Sequence, residues 1–136
     1  MSVGTQLELA LRLLLAVLLG GAIGFERERK KKAAGLRTHI LICLGAALFT
    51  VASVYGFTGG DPARIASNIV TGIGFIGAGS ILSSREGIVT GLTTAASIWI
   101  TAAIGLAVGA GLYVLSVLAA VLVLAVLMLR DNFARS

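Results

Sequence analysis

The chain has 136 residues, of which 57% are hydrophobic and only 12% are charged, and its formal net charge is +5. Soluble domains carry about 25% charged residues, and disordered chains are poor in apolar ones, so both classes are excluded. The composition therefore predicts an integral membrane protein with the lipid bilayer as its solvent.

Five apolar windows follow one another along the chain, each close to the 20 or so residues that an α-helix needs to cross the hydrocarbon core. They cover residues 7–25, 38–57, 65–82, 91–108 and 112–129. The third and fourth are rich in Gly, Ser and Thr, which leaves open the alternative of buried or re-entrant segments. The sequence predicts a single all-α transmembrane domain, a compact bundle of about five transmembrane helices.

The connections between the windows are short. Asp61-Pro62 provides an N-cap carboxylate followed by a proline at the first helical position, so a helix is expected to begin there. A polar break at 83–87 separates the third window from the fourth, and 109–111 forms a tight, uncharged turn before the fifth.

Basic residues predict the orientation, because short loops rich in Lys and Arg stay in the cytoplasm. Most of the basic residues lie between Arg27 and Arg37. Placing this loop inside also places Arg85, Arg130 and Arg135 inside, with the amino terminus outside and the carboxyl terminus cytoplasmic. No basic residue precedes the first window, so we expect a retained helix and not a cleaved signal peptide. Without interleaved aromatic residues or a reading module, the basic cluster does not indicate nucleic-acid binding.

Glycine is frequent in the third window, although it costs about 1 kcal/mol relative to alanine in a helix interior. Small residues four apart let membrane helices approach closely, and four pairs have this spacing: Gly20/Gly24, Gly56/Gly60, Gly87/Gly91 and Gly105/Gly109. Helix packing is the favoured interpretation. The alternative is an unwound segment whose backbone binds an ion or a partner.

Hydroxyl side chains recur along one face of the fourth window, at Thr90, Thr94, Ser97 and Thr101. We expect this face to contact protein, with the hydroxyls bonded to carbonyls of the preceding turn in preference to a ligand. Asn68 in the third window is expected to need a partner across a helix interface.

Few residues are ionisable. Glu8 and Arg12 are four apart and can form an ion pair. Glu26 precedes the basic loop, and an ion pair with Arg37, beside Thr38, would clamp the first two helices; alternatively, these groups bind a partner or a cation. His39 is a hydrogen-bonding candidate more than a metal ligand.

No combination of nucleophile, base and orienting group can be assembled, and there is no P-loop, HExxH motif or metal-ligand spacing around the single cysteine. We therefore expect neither an enzyme nor a metal or cofactor site.

Three segments, GGAIGFERERKKKAAGLRTHILICLGAALF, DPARIASNIVTGIGFIGAGSIL and GIVTGLTTAASIWITAAIGLAVGAGLY, occur in this order. The chain closely resembles the transmembrane domain of the MgtC/SapB family of bacterial inner-membrane proteins. The resemblance implies a five-helix bundle with its amino terminus outside. Together with Thr38, Asp61 and Asn68, the residues that it marks form the candidate functional or partner-binding set: Glu26, Arg27, Gly35, Arg37, Thr38, Asp61, Arg64, Asn68, Gly72, Gly74, Gly77, Gly79, Gly91 and Thr94.

The resemblance also implies roles in growth at low magnesium and in survival inside macrophages, and for MgtC-like members an inhibition of the membrane ATP synthase. Those members carry a soluble carboxyl-terminal domain, whereas this sequence ends soon after its fifth window, so we expect a shorter, SapB-like member.

The expected function is that of a non-enzymatic regulatory module in magnesium or acid stress, acting through helix contacts with itself, as a dimer, or with another membrane protein. A divalent-cation transporter or channel is the alternative. Magnesium transport normally needs oxygen ligands along a path, but Glu26, Asp61 and Glu86 are expected at loops.

Overall fold

A computed structural model describes residues 1–83 and 86–129. It contains five α-helices, as the sequence predicts: α1 (Val3–Arg29), α2 (Leu36–Tyr55), α3 (Pro62–Gly79), α4 (Leu92–Gly109) and α5 (Tyr113–Leu127). Two short antiparallel strands, β1 (Leu82–Ser83) and β2 (Val89–Thr90), pair between α3 and α4. Arg85, Arg130 and Arg135, which entered the orientation argument, lie outside the described residues.

Local capping accounts for several helix ends. The Ser2 hydroxyl accepts a hydrogen bond from the Thr5 amide at the start of α1. The Asp61 carboxylate accepts one from the Ala63 amide, 3.0 Å away, so the predicted start of α3 is confirmed. The helix ends at Gly79, short of residue 82, because Leu82 pairs with Thr90 in the strand ladder.

Within the described ranges, three helices are long and apolar enough to cross a membrane: α1, α2 and α4. Arg64, Asn68 and the glycines lower the mean hydropathy of α3. The 15 residues of α5 extend only about 22 Å, compared with a hydrocarbon core of about 30 Å. Large apolar side chains such as Leu18 on α1 and Val114 on α5 are exposed on the outside of the bundle, which is the distribution expected for a protein solvated by lipid.

The bundle is arranged around α4, which contacts each of the other four helices. Its core consists largely of small side chains, including Ala16, Cys43, Ala47 and Ala120. Small residues in the core allow the backbones to approach closely, as is typical of membrane helices.

Two of the four predicted glycine pairs lie at close helix crossings. A Cβ added to Gly20 would lie 2.7 Å from the Cβ of Cys43, so α1 and α2 meet there without room for a methyl group. On α4, a Cβ at Gly109 would lie 2.6 Å from the carbonyl oxygen of Ala47, and one at Gly105 would collide with the Cys43 carbonyl.

The other two pairs do not form helix contacts, and the prediction was wrong for them. Gly56 caps α2, and Gly60 lies in the following loop. Gly87 and Gly91 both have positive φ, 77° and 88°, in the connection before α4. Their role is to allow left-handed backbone at turns, which glycine adopts without steric cost.

Candidate functional site: a charged cluster and a groove beside α3

The structure brings Glu26, Arg27 and Lys30 together at the end of α1, and we call these three residues the charged cluster. Glu26 and Arg27 are buried, with exposures of 8% and 2%. The start of α2 packs closely against the end of α1, since a Cβ at Gly24 would lie only 2.8 Å from the Cα of Leu36.

The charged cluster is incompletely hydrogen-bonded. Glu26 Oε1 lies 2.8 Å from Lys30 Nζ, and Glu26 Oε2 lies 3.6 Å from Arg27 Nη1. Within the described part of the chain, neither Glu26 oxygen nor Arg27 Nε has a hydrogen bond of good geometry. Since buried charges normally satisfy their hydrogen-bonding capacity, this site has capacity for a further polar group.

The predicted ion pair between Glu26 and Arg37 was wrong. Lys30 follows Glu26 by one helical turn, the spacing at which side chains meet. Its ammonium group forms the ion pair with the Glu26 carboxylate. Arg37 lies in the first turn of α2 with its side chain exposed, and the neighbouring Thr38 is half-buried.

His39 connects the start of α2 to α4. Its side chain is fully buried, with Nδ1 2.9 Å from the Gly35 carbonyl oxygen and Nε2 2.9 Å from Ser97 Oγ. The prediction of a hydrogen-bonding role for His39 is confirmed by these two contacts.

The hydroxyl of Ser97 has two acceptors within reach but only one proton. It lies 2.7 Å from the Thr94 carbonyl oxygen as well as 2.9 Å from His39 Nε2. Because Nδ1 faces a carbonyl, it must carry a proton. When His39 is neutral, its Nε2 therefore accepts a hydrogen bond from the Ser97 hydroxyl. When His39 is an imidazolium, Nε2–H donates to Ser97 Oγ, and the Ser97 hydroxyl donates to the Thr94 carbonyl instead.

The hydroxyl face of α4 is buried as predicted, at Thr94, Ser97 and Thr101. Thr101 Oγ1 donates to the Ser97 carbonyl, 2.6 Å away, so the expected bonding to the preceding turn is confirmed. Thr90 does not belong to this face, because it lies in β2 and precedes the helix.

A second polar cluster lies at the opposite end of the bundle, where α1 begins. Arg12 Nη2 donates to Glu8 Oε1 at 2.8 Å, which confirms the predicted pair. Arg12 also donates to the Tyr113 hydroxyl at 2.7 Å and to the Gly109 carbonyl at 2.8 Å. No sequence pattern identified these two partners. The interfacial preference of tyrosine is the signal that could have suggested Tyr113.

Beside α3 lies an open groove of about 450 Å³ between α2 and α3. Ile65, Asn68 and Gly72 line it from α3, and Gly45 and Phe49 line it from α2. The Asn68 side chain is exposed and makes no hydrogen bond among the described residues. The partner that its amide was expected to need is not found within this part of the chain.

The glycines of α3 differ in their surroundings. A Cβ added to Gly77 would meet the Ala95 carbonyl oxygen at 3.7 Å, so this glycine faces α4. Gly72, Gly74 and Gly79 have no neighbour within 4 Å of such a Cβ. At 100° per residue, Gly72 and Gly79 share the groove side of α3 with Asn68, whereas Gly74 lies on the far side.

The remaining candidates have local positions in the fold. Asp61 caps α3, and Arg64 is exposed in its first turn. A Cβ at Gly91 would collide with the carbonyl oxygen of Ser80, so this glycine permits the tight entry into α4. The candidate residues therefore do not form one site: Glu26, Arg27 and Gly35 lie at one end of the bundle, and Asp61, Arg64 and Asn68 lie towards the other.

Comparison with known proteins gives consistent matches. The sequence profile of the MgtC family matches residues 13–136. The chain is 53% identical over 128 residues to "Putative magnesium transporter YhiD" of Escherichia coli (strain K12), covering 88% of this chain and 59% of that protein. It is 49% identical over 112 residues to "Protein MgtC" of Brucella abortus (strain 2308), covering 82% of this chain and 46% of that protein.

An uncharacterized protein of Synechocystis sp. (strain ATCC 27184 / PCC 6803 / Kazusa) is 46% identical over 118 residues, covering 86% of this chain and 50% of that protein. The chain thus spans between 46% and 59% of the length of these relatives. No solved structure matches.

Proposed function

Because this chain belongs to the MgtC family, and is accordingly a multi-pass protein of the bacterial inner membrane, we propose that it is a non-enzymatic contact module. The groove side of α3 binds a second copy of the chain or another membrane protein. This contact serves a regulatory role in adaptation to magnesium or acid stress.

The observation that carries the proposal is the open groove side of α3. A Cβ added to Gly72 or Gly79 would have no neighbour within 4 Å among the described residues, and Gly72, inside α3, costs about 1 kcal/mol relative to alanine. In a membrane, such glycines are typical of surfaces where another helix backbone approaches closely. Close packing against a second helix would offset their cost.

Asn68 supports the same surface independently of the glycines. The side-chain amide of Asn68 lies one turn before Gly72 and makes no hydrogen bond among the described residues. In hydrocarbon, an unpaired amide costs several kcal/mol by transfer measurements, on the order of 4–8 kcal/mol in the least polar solvents. Asparagine side chains in membranes form hydrogen bonds between helices, so a partner helix would satisfy this amide.

Transport of a divalent cation is a second candidate function. The Escherichia coli relative bears the name "Putative magnesium transporter YhiD". Among the residues that the structure describes, the two buried carboxylate oxygens of Glu26 accept no hydrogen bond of good geometry, and oxygen is the ligand that Mg²⁺ prefers. However, Arg27 and Lys30 lie against the same carboxylate and would repel a cation.

Crosslinking tests the contact module. In a Cys43→Ser background, a cysteine replacing Phe75, which is exposed next to the groove side of α3, should form crosslinks in native membranes. A cysteine replacing Val121 on the outer surface of α5 is the control and should form few. Gly72→Leu should reduce the Phe75→Cys crosslink at least about tenfold by filling the groove, whereas Gly74→Leu on the far side of α3 should not. Equal crosslinking from both cysteine positions would contradict the proposal.

Flux measurements separate the two functions. Purified protein in liposomes should show no Mg²⁺ flux above that of empty vesicles if it is a contact module. A flux that is lost in Glu26→Gln, while the Phe75→Cys crosslink persists, would instead assign the charged cluster to a permeation path.

A further inference from the structure

A second groove lies on the other side of the bundle, between α4 and α5. Its volume is about 610 Å³, and Leu92, Ala96 and Ile100 line it from α4 while Val126 and Leu127 line it from α5. The lining is largely apolar, and its polar side-chain groups are the hydroxyls of Thr93 and Ser97 and the indole of Trp99. The groove is open to the surroundings of the bundle, which for this protein are lipid.

The ammonium group of Lys30 lies at one end of this groove. Lys30 Nζ donates to the carbonyl oxygen of Leu127, 2.6 Å away, at the end of α5. Since Leu127 lines the groove, the ammonium group lies at its mouth. The Lys30 side chain is 44% exposed, so it remains accessible from outside the bundle.

The ammonium has capacity for another ligand. Its hydrogen bond to the Leu127 carbonyl uses one of its three donors, and Glu26 Oε1 lies 2.8 Å away as its ion-pair partner. Residues 26–32 include five basic side chains and only two carboxylates. Arg29, Lys31 and Lys32 are exposed. The excess charge at this end of the bundle is therefore positive and available to an anion.

We propose that the α4–α5 groove is a binding site for an anionic phospholipid. One acyl chain lies along the apolar lining, and the phosphate accepts hydrogen bonds from Lys30 and its basic neighbours. The apolar groove matches the acyl chain of such a ligand, and the basic residues at its end match the negatively charged phosphate. Basic pockets between transmembrane helices are typical sites for anionic lipid head groups.

Charge complementarity favours an anionic phospholipid over a zwitterionic lipid or a partner helix. A zwitterionic lipid carries a cation that would face the same excess of basic residues. A partner helix would fill the apolar groove but leave the charge at its mouth uncompensated. The proposal does not depend on the contact surface of α3, because the two grooves lie on different pairs of helices.

Native mass spectrometry and thermal unfolding of the detergent-purified chain test the site, with phosphatidylglycerol and phosphatidylcholine of identical acyl chains as probes. Phosphatidylglycerol should form a one-lipid adduct and raise the unfolding temperature more than phosphatidylcholine does. Lys30→Gln should weaken the adduct about fivefold, the effect expected for one basic residue near an anionic lipid, and Lys30→Arg should retain it.

Two further variants separate the site from general surface charge. Ala96→Phe adds a bulky side chain at an exposed position of the groove, and it should abolish the adduct without unfolding the bundle. Arg37→Gln removes one positive charge from the same end without touching the groove and should leave the adduct intact. Equal binding of both lipids, or equal losses in Lys30→Gln and Arg37→Gln, would overturn the proposal, as would retention of the adduct in Ala96→Phe.

Discussion

The guanidinium group of Arg12 joins three helices at the end of the bundle where α1 begins. It hydrogen-bonds to the Gly109 carbonyl at the end of α4 and to the Tyr113 hydroxyl at the start of α5. The Tyr113 hydroxyl in turn donates to Glu8 Oε1 at 2.8 Å, which closes a ring of three side chains. The Tyr55 ring at the end of α2 lies 5.4 Å from the guanidinium carbon, a distance suited to a cation–π contact.

Replacement of Arg12 by Gln should therefore destabilise the bundle strongly. Loss of the guanidinium leaves the buried Gly109 carbonyl without its hydrogen bond from Arg12, and an unsatisfied buried acceptor costs about 1–3 kcal/mol. Thermal unfolding in detergent measures the effect. Arg29→Gln, which removes an exposed arginine from the same helix, is the control and should change the unfolding temperature little. Similar unfolding temperatures for the two variants would show that Arg12 does not hold the helices together.

The helices differ in what their glycines do. On α4, Gly105 lies against the backbone of α2, where a Cβ would collide with the Cys43 carbonyl oxygen. On α3, Gly74 has no neighbour within 4 Å of an added Cβ, so a methyl group meets open space there. Glycine thus permits a helix crossing at position 105, whereas at position 74 it only weakens the helix.

The same substitution should consequently have opposite signs at these two positions. Gly105→Ala should lower the stability of the protein by about 1–3 kcal/mol, the usual cost of overpacking. Gly74→Ala should be neutral or raise it by up to about 1 kcal/mol through helix propensity. Chemical or thermal unfolding of both variants in the same detergent gives the comparison, and destabilisation by both would show that Gly74 is packed in the folded protein.

Across the whole molecule, successive helices run in opposite directions. The basic loop lies at one end of the bundle, and the Arg12 cluster lies at the other. The end of α1 and the start of α2 flank the basic loop, and the Lys30–Leu127 and His39–Ser97 hydrogen bonds place the end of α5 and the start of α4 at the same end. At the opposite end, Arg12 brings together the starts of α1 and α5 with the end of α4.

The orientation of this bundle in the membrane remains a prediction from its basic residues. With the basic loop in the cytoplasm, a cysteine replacing Lys32 in a Cys43→Ser background should be protected from a membrane-impermeant thiol reagent in intact cells. A cysteine replacing Thr58, in the loop between α2 and α3, should be labelled. The reverse labelling pattern would invert the orientation.

Regularities that act within one or two helical turns could be predicted from the sequence. Apolar length predicts helices wherever lipid is the solvent, the Asp61-Pro62 pair predicts the start of α3, and the four-residue spacing predicts the Glu8–Arg12 ion pair. Each depends on the geometry of a single helix, which is the same in every protein.

Contacts between helices were decided only by the tertiary structure. Tyr113 is 101 residues from Arg12, and no local pattern indicates that they meet. Arg37 does not meet Glu26, and Gly105 is packed whereas Gly74 is not, because the rotation of each helix about its axis determines which side chains face a neighbour. That rotation results from the packing of all five helices at once, so the two grooves and the partners of each buried charge follow from the assembled bundle.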